Sequence, residues 1–279
     1  MKIVLCGTPA FILPVFAEIA TKNEIVAVIT QPDAKANRGQ KIQENKVAAF
    51  AKNNNFLLFQ PEKINDIFNQ LFALEFDILL TYAFGQFIPT RILNLPKIAA
   101  INIHGSLLPK YRGAAPIQHA LLNGDKETGI SLIYMTKIMD AGDIIFSAKM
   151  PINPEDTTSI LFNKITELAL KNINYWLLKI KRNDIASVAQ DESLVTFAHK
   201  LEKQDGELDK NRSIKDNINL IRAYADNPGA FTFINDKRVK VFRAQKEMVK
   251  NAPFIQVADG NLYFTKYQFE SKKIVDLKN

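Results

Sequence analysis

The feature that most narrows the folding options is an alternation along the first half of the chain. Short apolar runs rich in β-branched residues take turns with stretches of helical period. Lys2–Cys6 reads as a buried strand, followed by a helix from about Phe11 to Thr21. Glu24–Thr30 holds Ile25, Val26, Val28, Ile29 and Thr30, side chains that suit a pleated surface. Further helices are predicted at Lys46–Asn54 and Asp66–Ala73, and strands at Phe56–Phe59, Asp77–Thr81 and Ala99–His104. Parallel strands need a crossover between them, which helices supply. The alternation therefore predicts an α/β fold, a doubly wound, mostly parallel sheet of the Rossmann type with helices on both faces. Such sheets take their ligands outside the carboxyl ends of the strands.

The pattern changes after Pro116. A helix to about Asn123 stops at Gly124, and strands near Ile130–Ile138 and Ile144–Met150 flank the turn Met139-Asp140-Ala141-Gly142-Asp143. A long helix, about Thr158 to Arg182, lines up Leu161, Ile165, Leu168, Ile173, Trp176 and Ile180 as one apolar stripe. Trp176 is read there as packing. Residues 183–205 are polar and charged and read as a linker. Beyond them, Ala230–Ile234, Arg238–Ala244, Phe254–Asp259 and Asn261–Lys266 are β-rich runs divided by Asn227-Pro228-Gly229, Asn235-Asp236 and Asp259-Gly260 turns. A small C-terminal β-barrel is the expectation. The predicted organisation is a larger domain over residues 1–182, the linker, and a smaller one over 206–279.

Charge separates the two parts. Lys and Arg number 36 and Asp and Glu 29, a net +7. Residues 200–279 hold 16 basic and 11 acidic side chains, so most of the excess sits in the smaller part. A basic module beside a near-neutral one points to a polyanionic partner, although a merely basic surface fits the same numbers. No apolar run approaches the ~20 residues that span a bilayer, so no membrane partner is expected. Met1–Pro9 has too short an apolar core for a secretory signal, and the lone Cys6 cannot form an internal disulfide. A cytoplasmic monomer is the expectation.

Gly7-Thr8-Pro9 after the first strand has neither the dinucleotide fingerprint nor the P-loop lysine. Three histidines and one cysteine lie dispersed, without metal-ligand spacing, and no G-x-S-x-G elbow occurs. The informative stretch is Asn102-Ile103-His104-Gly105-Ser106-Leu107-Leu108-Pro109. Residues two apart in a strand share a face, so Asn102 and His104 project together at the strand's carboxyl end. Gly105 allows a sharp exit, and Ser106–Pro109 offers backbone groups to a ligand. An amide beside an imidazole is equipped to polarise a carbonyl and stabilise an oxyanion. Asp140, in its own turn, can orient or charge that imidazole. A core histidine hydrogen-bonded at a strand end fits the same pattern.

The run from Asn102 through Pro109 to Lys110-Tyr111-Arg112-Gly113-Ala114-Ala115-Pro116-Ile117-Gln118 resembles the formyltransferase family that uses 10-formyltetrahydrofolate. The resemblance extends over Gly7-Thr8-Pro9, Gln31-Pro32-Asp33, Arg38-Gly39-Gln40-Lys41, Phe59-Gln60-Pro61, Asp140-Ala141-Gly142-Asp143, Ala198-His199-Lys200-Leu201, Ile221-Arg222-Ala223 and Val239-Lys240-Val241. Ala10 departs from it, standing where an acidic residue is common.

The resemblance implies that Asn102, His104 and Asp140 are the catalytic trio and that Ser106, Leu107, Leu108 and Pro109 contact the folate. The acceptor it implies is the α-amine of methionine on initiator methionyl-tRNA, with no metal. It also implies that the basic loop Gln31–Lys41, with Lys35, Arg38 and Lys41, reaches the tRNA acceptor end. Arg222 with Lys237, Arg238, Lys240 and Arg243 would form a phosphate-tracking face on the barrel, and Phe84–Phe87 would wall the pterin pocket. An amino-sugar nucleotide is the alternative acceptor, and the basic loop and tail argue against it.

Overall fold

The computed structural model describes residues 1–36, 41–225 and 228–277. Along them run strands β1 (Lys2–Gly7), β2 (Glu24–Ile29), β3 (Ala34–Ala36), β4 (Lys41–Gln43), β5 (Leu58–Phe59), β6 (Ile78–Tyr82), β7 (Ala99–His104) and β8 (Arg112–Gly113). β9 (Glu127–Tyr134), β10 (Ile144–Pro151), β11 (Phe197–Ala198), β12 (Ala230–Ile234), β13 (Lys237–Gln245), β14 (Phe254–Val257), β15 (Gly260–Phe269) and β16 (Val275–Asp276) follow. The α-helices are α1 (Leu13–Ala20), α2 (Lys46–Asn53), α3 (Phe68–Ala73), α4 (Thr90–Leu93), α5 (Pro116–Leu122), α6 (Thr158–Lys181) and α7 (Ile214–Ala223).

Seven strands form the main sheet in the order β10-β9-β7-β6-β1-β2-β5. β1 pairs in parallel with β2 and β6, β2 with β5 and β6 with β7, whereas β9 runs antiparallel to β7. The mostly parallel, doubly wound sheet read from the alternation is therefore present. Ile3, Val4, Leu5 and Cys6 have no solvent exposure, which explains why β1 reads as an unbroken apolar run: it is covered on both faces. Burial pushes the Cys6 thiol well above its ordinary pKa. From β1 the chain steps outward to β2 and β5, then returns to β6 on the other side of β1 and continues to β7. That reversal places a crevice at the carboxyl ends of β1 and β6, the switch point at which such sheets bind ligands.

Local departures have local causes. A 3₁₀ turn, Ala10–Ile12, precedes α1. β9 stops at Tyr134 instead of reaching Ile138, because its neighbour β7 begins at Ala99 and the last link is Met135 N–H to the Ala100 carbonyl. The chain then turns, with the Thr136 hydroxyl donating to the Ile138 carbonyl and Ile138 and Met139 exposed. The Gln31–Lys41 loop carries a small hairpin, β3 with β4. Trp176 packs as expected, stacked on Phe146 with ring centres 5.6 Å apart.

By contact density the chain groups into two compact units. One comprises Met1–Arg112, Gly129–Lys149 and Lys164–Thr196, the other Gly113–Thr128, Met150–Asn163 and Phe197–Asn279. Two stretches upstream of the expected linker thus belong with the C-terminal region. Within that second unit, α5 lies against α7 and the Thr158 hydroxyl donates to the Ala223 carbonyl at 2.7 Å. α7 is a helix that the polar sequence around it hides. The Ser213 side chain caps it by accepting from the Asp216 N–H, and Ile214, Leu220, Ile221 and Ala223 are buried. Where a small β-barrel is expected, an antiparallel five-stranded sheet follows, in the order β12-β13-β15-β14 with β16 on β15. Val239, Val241, Leu262 and Phe264 form its interior. Glu207 adds a parallel bridge to Phe231.

Leu5 sits at the centre of the main sheet, flanked by Val28 and Leu80 on the neighbouring strands. Leu5→Ala leaves a cavity there and is expected to lower stability by about 2–5 kcal/mol in chemical denaturation. A loss below about 1 kcal/mol would show that the sheet centre relaxes around the missing atoms.

Candidate active site

Alternation along β7 sends Ile101 and Ile103 into the core, both buried, and turns Asn102 and His104 to the opposite face. The Asn102 Nδ2 donates to the Asp140 Oδ1 at 3.3 Å. The Thr81 hydroxyl, on the adjacent strand in register with Asn102, donates to the Asn102 Oδ1 at 2.7 Å. These bonds fix which way the amide points. A carboxylate only accepts, so Nδ2 must face Asp140 and the carbonyl oxygen must face Thr81.

His104 is held in the same manner. Its Nε2 lies 2.8 Å from the Tyr111 carbonyl, and its Nδ1 lies 3.6 Å from the Asp140 Oδ2. A carbonyl only accepts, so Nε2 carries a hydrogen and Nδ1 is the nitrogen turned to the carboxylate. The His104 and Asp140 side chains are 5% and 9% exposed, so this contact is shielded from water. Asp140 therefore spans the amide and the imidazole, one carboxylate oxygen to each. It occupies the left-handed region at φ 55°, which aspartate tolerates better than most residues. Gly142 nearby has no room for a side chain, since a Cβ would stand 1.9 Å from the Tyr134 carbonyl oxygen.

The turn after β7 does not use Gly105 for its reversal. The left-handed residues there are Tyr111 and Gly113, at φ 66° and 123°. Ser106 and Leu108 are buried, with the Ser106 hydroxyl donating to the Lys110 carbonyl and the Leu108 N–H donating to the Ser131 hydroxyl. Leu107 and Pro109 are half-buried and form the surface that this turn presents.

Asn102 and Asp140 also line a shallow, open pocket together with Phe87, Ile88, Met135, Lys137 and Met139. Apolar side chains beside an amide and a carboxylate suit a ring that carries hydrogen-bonding edges. Gln86 is at the rim, but its side chain faces the neighbouring segment. It accepts from the Ile64 N–H and donates to the Pro61 carbonyl. The sequence motifs around this crevice form one network. Thr8 Oγ and Gln31 Nε2 both donate to the Phe84 carbonyl, at 2.8 and 3.1 Å. Gln60 Nε2 donates to the Gln31 carbonyl and to Asp33, and Asp33 also accepts from the Asn45 N–H. The Asn45 and Gln60 bonds hold the Asp33 carboxyl below its usual range. The one acidic residue of the basic loop thus pins the loop's base.

Of the expected RNA contacts, Arg38 lies outside the described residues. Lys35 and Lys41 stand on β3 and β4, where Lys35 pairs with Ile42 and Lys41 with Ala36. Arg222 is at the end of α7 and not on the sheet. Its guanidinium donates to the Asp156 and Asn153 carbonyls and to the Asn219 side chain, and burial lowers its pKa. The strand face therefore lacks Arg222. On β13, Lys237 is exposed, Lys240 is half-buried, and Arg238 lies over the Phe231 ring at 4.0 Å. Arg243 is paired with Asp276 at 2.5 Å. Among the described residues no three His, Cys, Asp or Glu side chains group as a metal site, and no helix is long and apolar enough to cross a membrane.

Known proteins match this chain along nearly its whole length. The model described as "Formyl transferase" matches residues 1–174, and that described as "Formyl transferase, C-terminal domain" matches residues 200–279. The chain belongs to the formyl transferase family. Within it, the methionyl-tRNA formyltransferase of Mycoplasmopsis pulmonis is 51% identical over 99% of this chain and 96% of its own. That of Malacoplasma penetrans is 39% identical over 100% and 92%. Among solved structures, WlaRD, a sugar 3N-formyl transferase with dTDP and 5-N-formyl-THF, superposes with a TM-score of 0.73 at 20% identity, covering 98% of this chain and 99% of that one. HypX from Aquifex aeolicus, in complex with tetrahydrofolic acid, gives 0.68 at 16% identity, covering 99% of this chain and 46% of that one. At such identities these structures establish the fold alone.

Neither Thr81 nor the Tyr111 carbonyl was legible as part of the site, although Thr81 lies one residue from the end of the strand beside β7. Thr81→Val keeps the shape and removes the donor to the Asn102 Oδ1. That leaves a part-buried acceptor without its protein partner, at a cost of up to about 1 kcal/mol. With the amide no longer held, turnover is expected to drop about tenfold. Unchanged turnover with a lowered melting temperature would show that Asn102 holds its orientation without Thr81.

Proposed function

We propose that this chain transfers the formyl group of 10-formyltetrahydrofolate to the α-amine of methionine on initiator methionyl-tRNA, with Asn102, His104 and Asp140 at the reacting atoms. The observation that carries the reading is the Asp140 carboxylate, facing both the Asn102 amide and the His104 Nδ1 beside the pocket. Phe87, Ile88, Met135 and Met139 would hold the pterin, with Leu107 and Pro109 offering a second surface to the folate. The cosubstrate, when bound, supplies an activated formyl carbon.

The attacking amine must be uncharged, and negative charge grows on the formyl oxygen as the new C–N bond forms. Asn102 Nδ2 and a protonated His104 Nδ1 are the donors that can meet that charge. His104 Nε2 is committed to the Tyr111 carbonyl, so the imidazole acts through Nδ1. Asp140 is the adjacent base, placed to take the proton that the amine loses, directly or through one water. The bond from the formyl carbon to the folate nitrogen would break as the oxygen's charge collapses, and tetrahydrofolate would leave with that proton on its nitrogen.

For the RNA we propose contacts from Lys35, Arg38 and Lys41 at the acceptor end. Lys240, with Lys237 and Arg238, would meet phosphates from the C-terminal sheet, so that residues 206–279 act as the tRNA-binding part. The bonds of Arg222 give it instead a supporting role beneath the 153–156 segment. The reading also places the protein in the cytoplasm as a monomer. The basic excess of the tail and the 51% identity to a methionyl-tRNA formyltransferase favour tRNA over a sugar nucleotide as the acceptor.

The direct assay is transfer of labelled formyl from 10-formyltetrahydrofolate to charged initiator tRNA, beside a panel of amino-sugar nucleotides. His104→Ala and Asn102→Ala should each lower turnover by about 10²-fold or more, with far smaller changes in substrate binding. Near-normal turnover in either variant would remove that residue from the chemistry. Arg38→Ala should weaken the preference for initiator over elongator methionyl-tRNA and leave folate binding intact. An equal loss on both tRNAs would make Arg38 a general electrostatic contact.

A further inference from the structure

We propose that Gln190 and Arg112 are positioning residues that set the Asp140 carboxylate against Asn102 and His104. The proposal rests on the role given to Asp140 above. Both residues belong to a brace built from Ser187–Thr196, a stretch that reads in sequence as part of a polar linker.

The brace begins as a short antiparallel contact. Ile144 N–H donates to the Val188 carbonyl at 2.8 Å, and Val188 N–H returns the bond to Ile144 at 2.9 Å. That contact sets Gln190 beneath the Asp140 turn. Gln190 Nε2 donates to the Asp140 carbonyl at 2.7 Å and to the Gly142 carbonyl at 2.8 Å, one hydrogen for each. Its Oε1 accepts from Arg112 Nε at 3.0 Å. The amide has only one orientation that satisfies these partners, because both carbonyls only accept and Arg112 Nε only donates. Arg112 thereby orients Gln190, and Gln190 ties together the backbone on both sides of Ala141. Asp140 needs such a tie, since it is held in a left-handed conformation and a buried carboxylate must keep its partners.

Arg112 is 5% exposed, so its position is set by packing and by the bond to Gln190. Its fork to Glu192, at 2.8 and 3.3 Å, ends on a side chain that is 74% exposed and contributes little through charge. The same brace also reaches His104. Thr196 accepts the Tyr111 N–H on its hydroxyl and the Arg112 N–H on its carbonyl, both at 2.9 Å. Tyr111 is the residue whose carbonyl fixes His104 Nε2. One ten-residue segment therefore sets Asp140 from one side and His104 from the other.

A shift of about 1 Å in a catalytic group can cost 10²-fold, so the brace should be visible in turnover and not in binding. The test is a double-mutant cycle in the full chain. Gln190→Met keeps the length and removes both donors and the acceptor; Gln190→Glu keeps the size and acceptor but removes the donors. Each is assayed alone and on Asp140→Ala, with kcat, KM for both substrates and Tm. The expected result is a kcat lower by about tenfold or more, with both KM values within about threefold, and no further fall when Asp140 is already alanine. Unchanged kcat in both Gln190 variants would overturn the proposal. So would the same fold loss in both backgrounds, since Gln190 would then act independently of Asp140. Full turnover by Asp140→Ala alone would instead remove the underlying site assignment. The two Gln190 variants run in parallel, so the outcome does not hang on the folding of one of them.

Discussion

The Asp140 carboxylate, almost withdrawn from water between an amide and an imidazole, is the interaction on which the site depends. Burying a carboxylate is unfavourable unless its oxygens find polar partners, and here the Asn102 Nδ2 donates to one oxygen while the His104 ring faces the other at 3.6 Å. Each partner is itself fixed from behind, Asn102 by the Thr81 hydroxyl and His104 by the Tyr111 carbonyl. The two side chains are thus already oriented. Preorganised donors stabilise a developing charge without having to rearrange at the moment of reaction.

The rest of the molecule supplies the place and the rigidity for this arrangement. A sheet whose order reverses at β1 opens a crevice at its carboxyl end, and Thr8, Gln31, Gln60 and Phe84 close the walls of that crevice with hydrogen bonds. These residues come from separate motifs after β1, β2, β5 and β6. Their shared role explains how four short, ordinary sequences serve one site.

Much of this was readable in the chain. The β-branched runs predicted the central strands, because strands buried on both faces must be apolar throughout. Period-two alternation in Ala99–His104 put Asn102 and His104 on one face, and the structure brings Asp140 to that same face. What escaped reading depends on groups that have no sequence signature. A backbone carbonyl such as that of Tyr111 carries no trace in residue type. Gln190 is an ordinary glutamine in a polar stretch until the fold brings Ser187–Thr196 beside β10. Arg222 misled for a related reason. A basic residue suggests phosphate, yet the helix that carries it turns its guanidinium onto the backbone carbonyls of Asn153 and Asp156. The helix itself was hidden because Asn217 and Asn219, though polar, are buried and hydrogen-bonded inside the protein.

His104 is held with Nε2 on the Tyr111 carbonyl and Nδ1 turned to Asp140. The most direct measurement is ¹⁵N NMR of protein carrying labelled histidine, comparing the native chain with Asp140→Ala. A locked ring predicts a hydrogen on His104 Nε2 in both proteins, and a shift of the Nδ1 resonance when the carboxylate is removed. A native ring with Nε2 bare, or an Nδ1 resonance indifferent to the loss of Asp140, would contradict it.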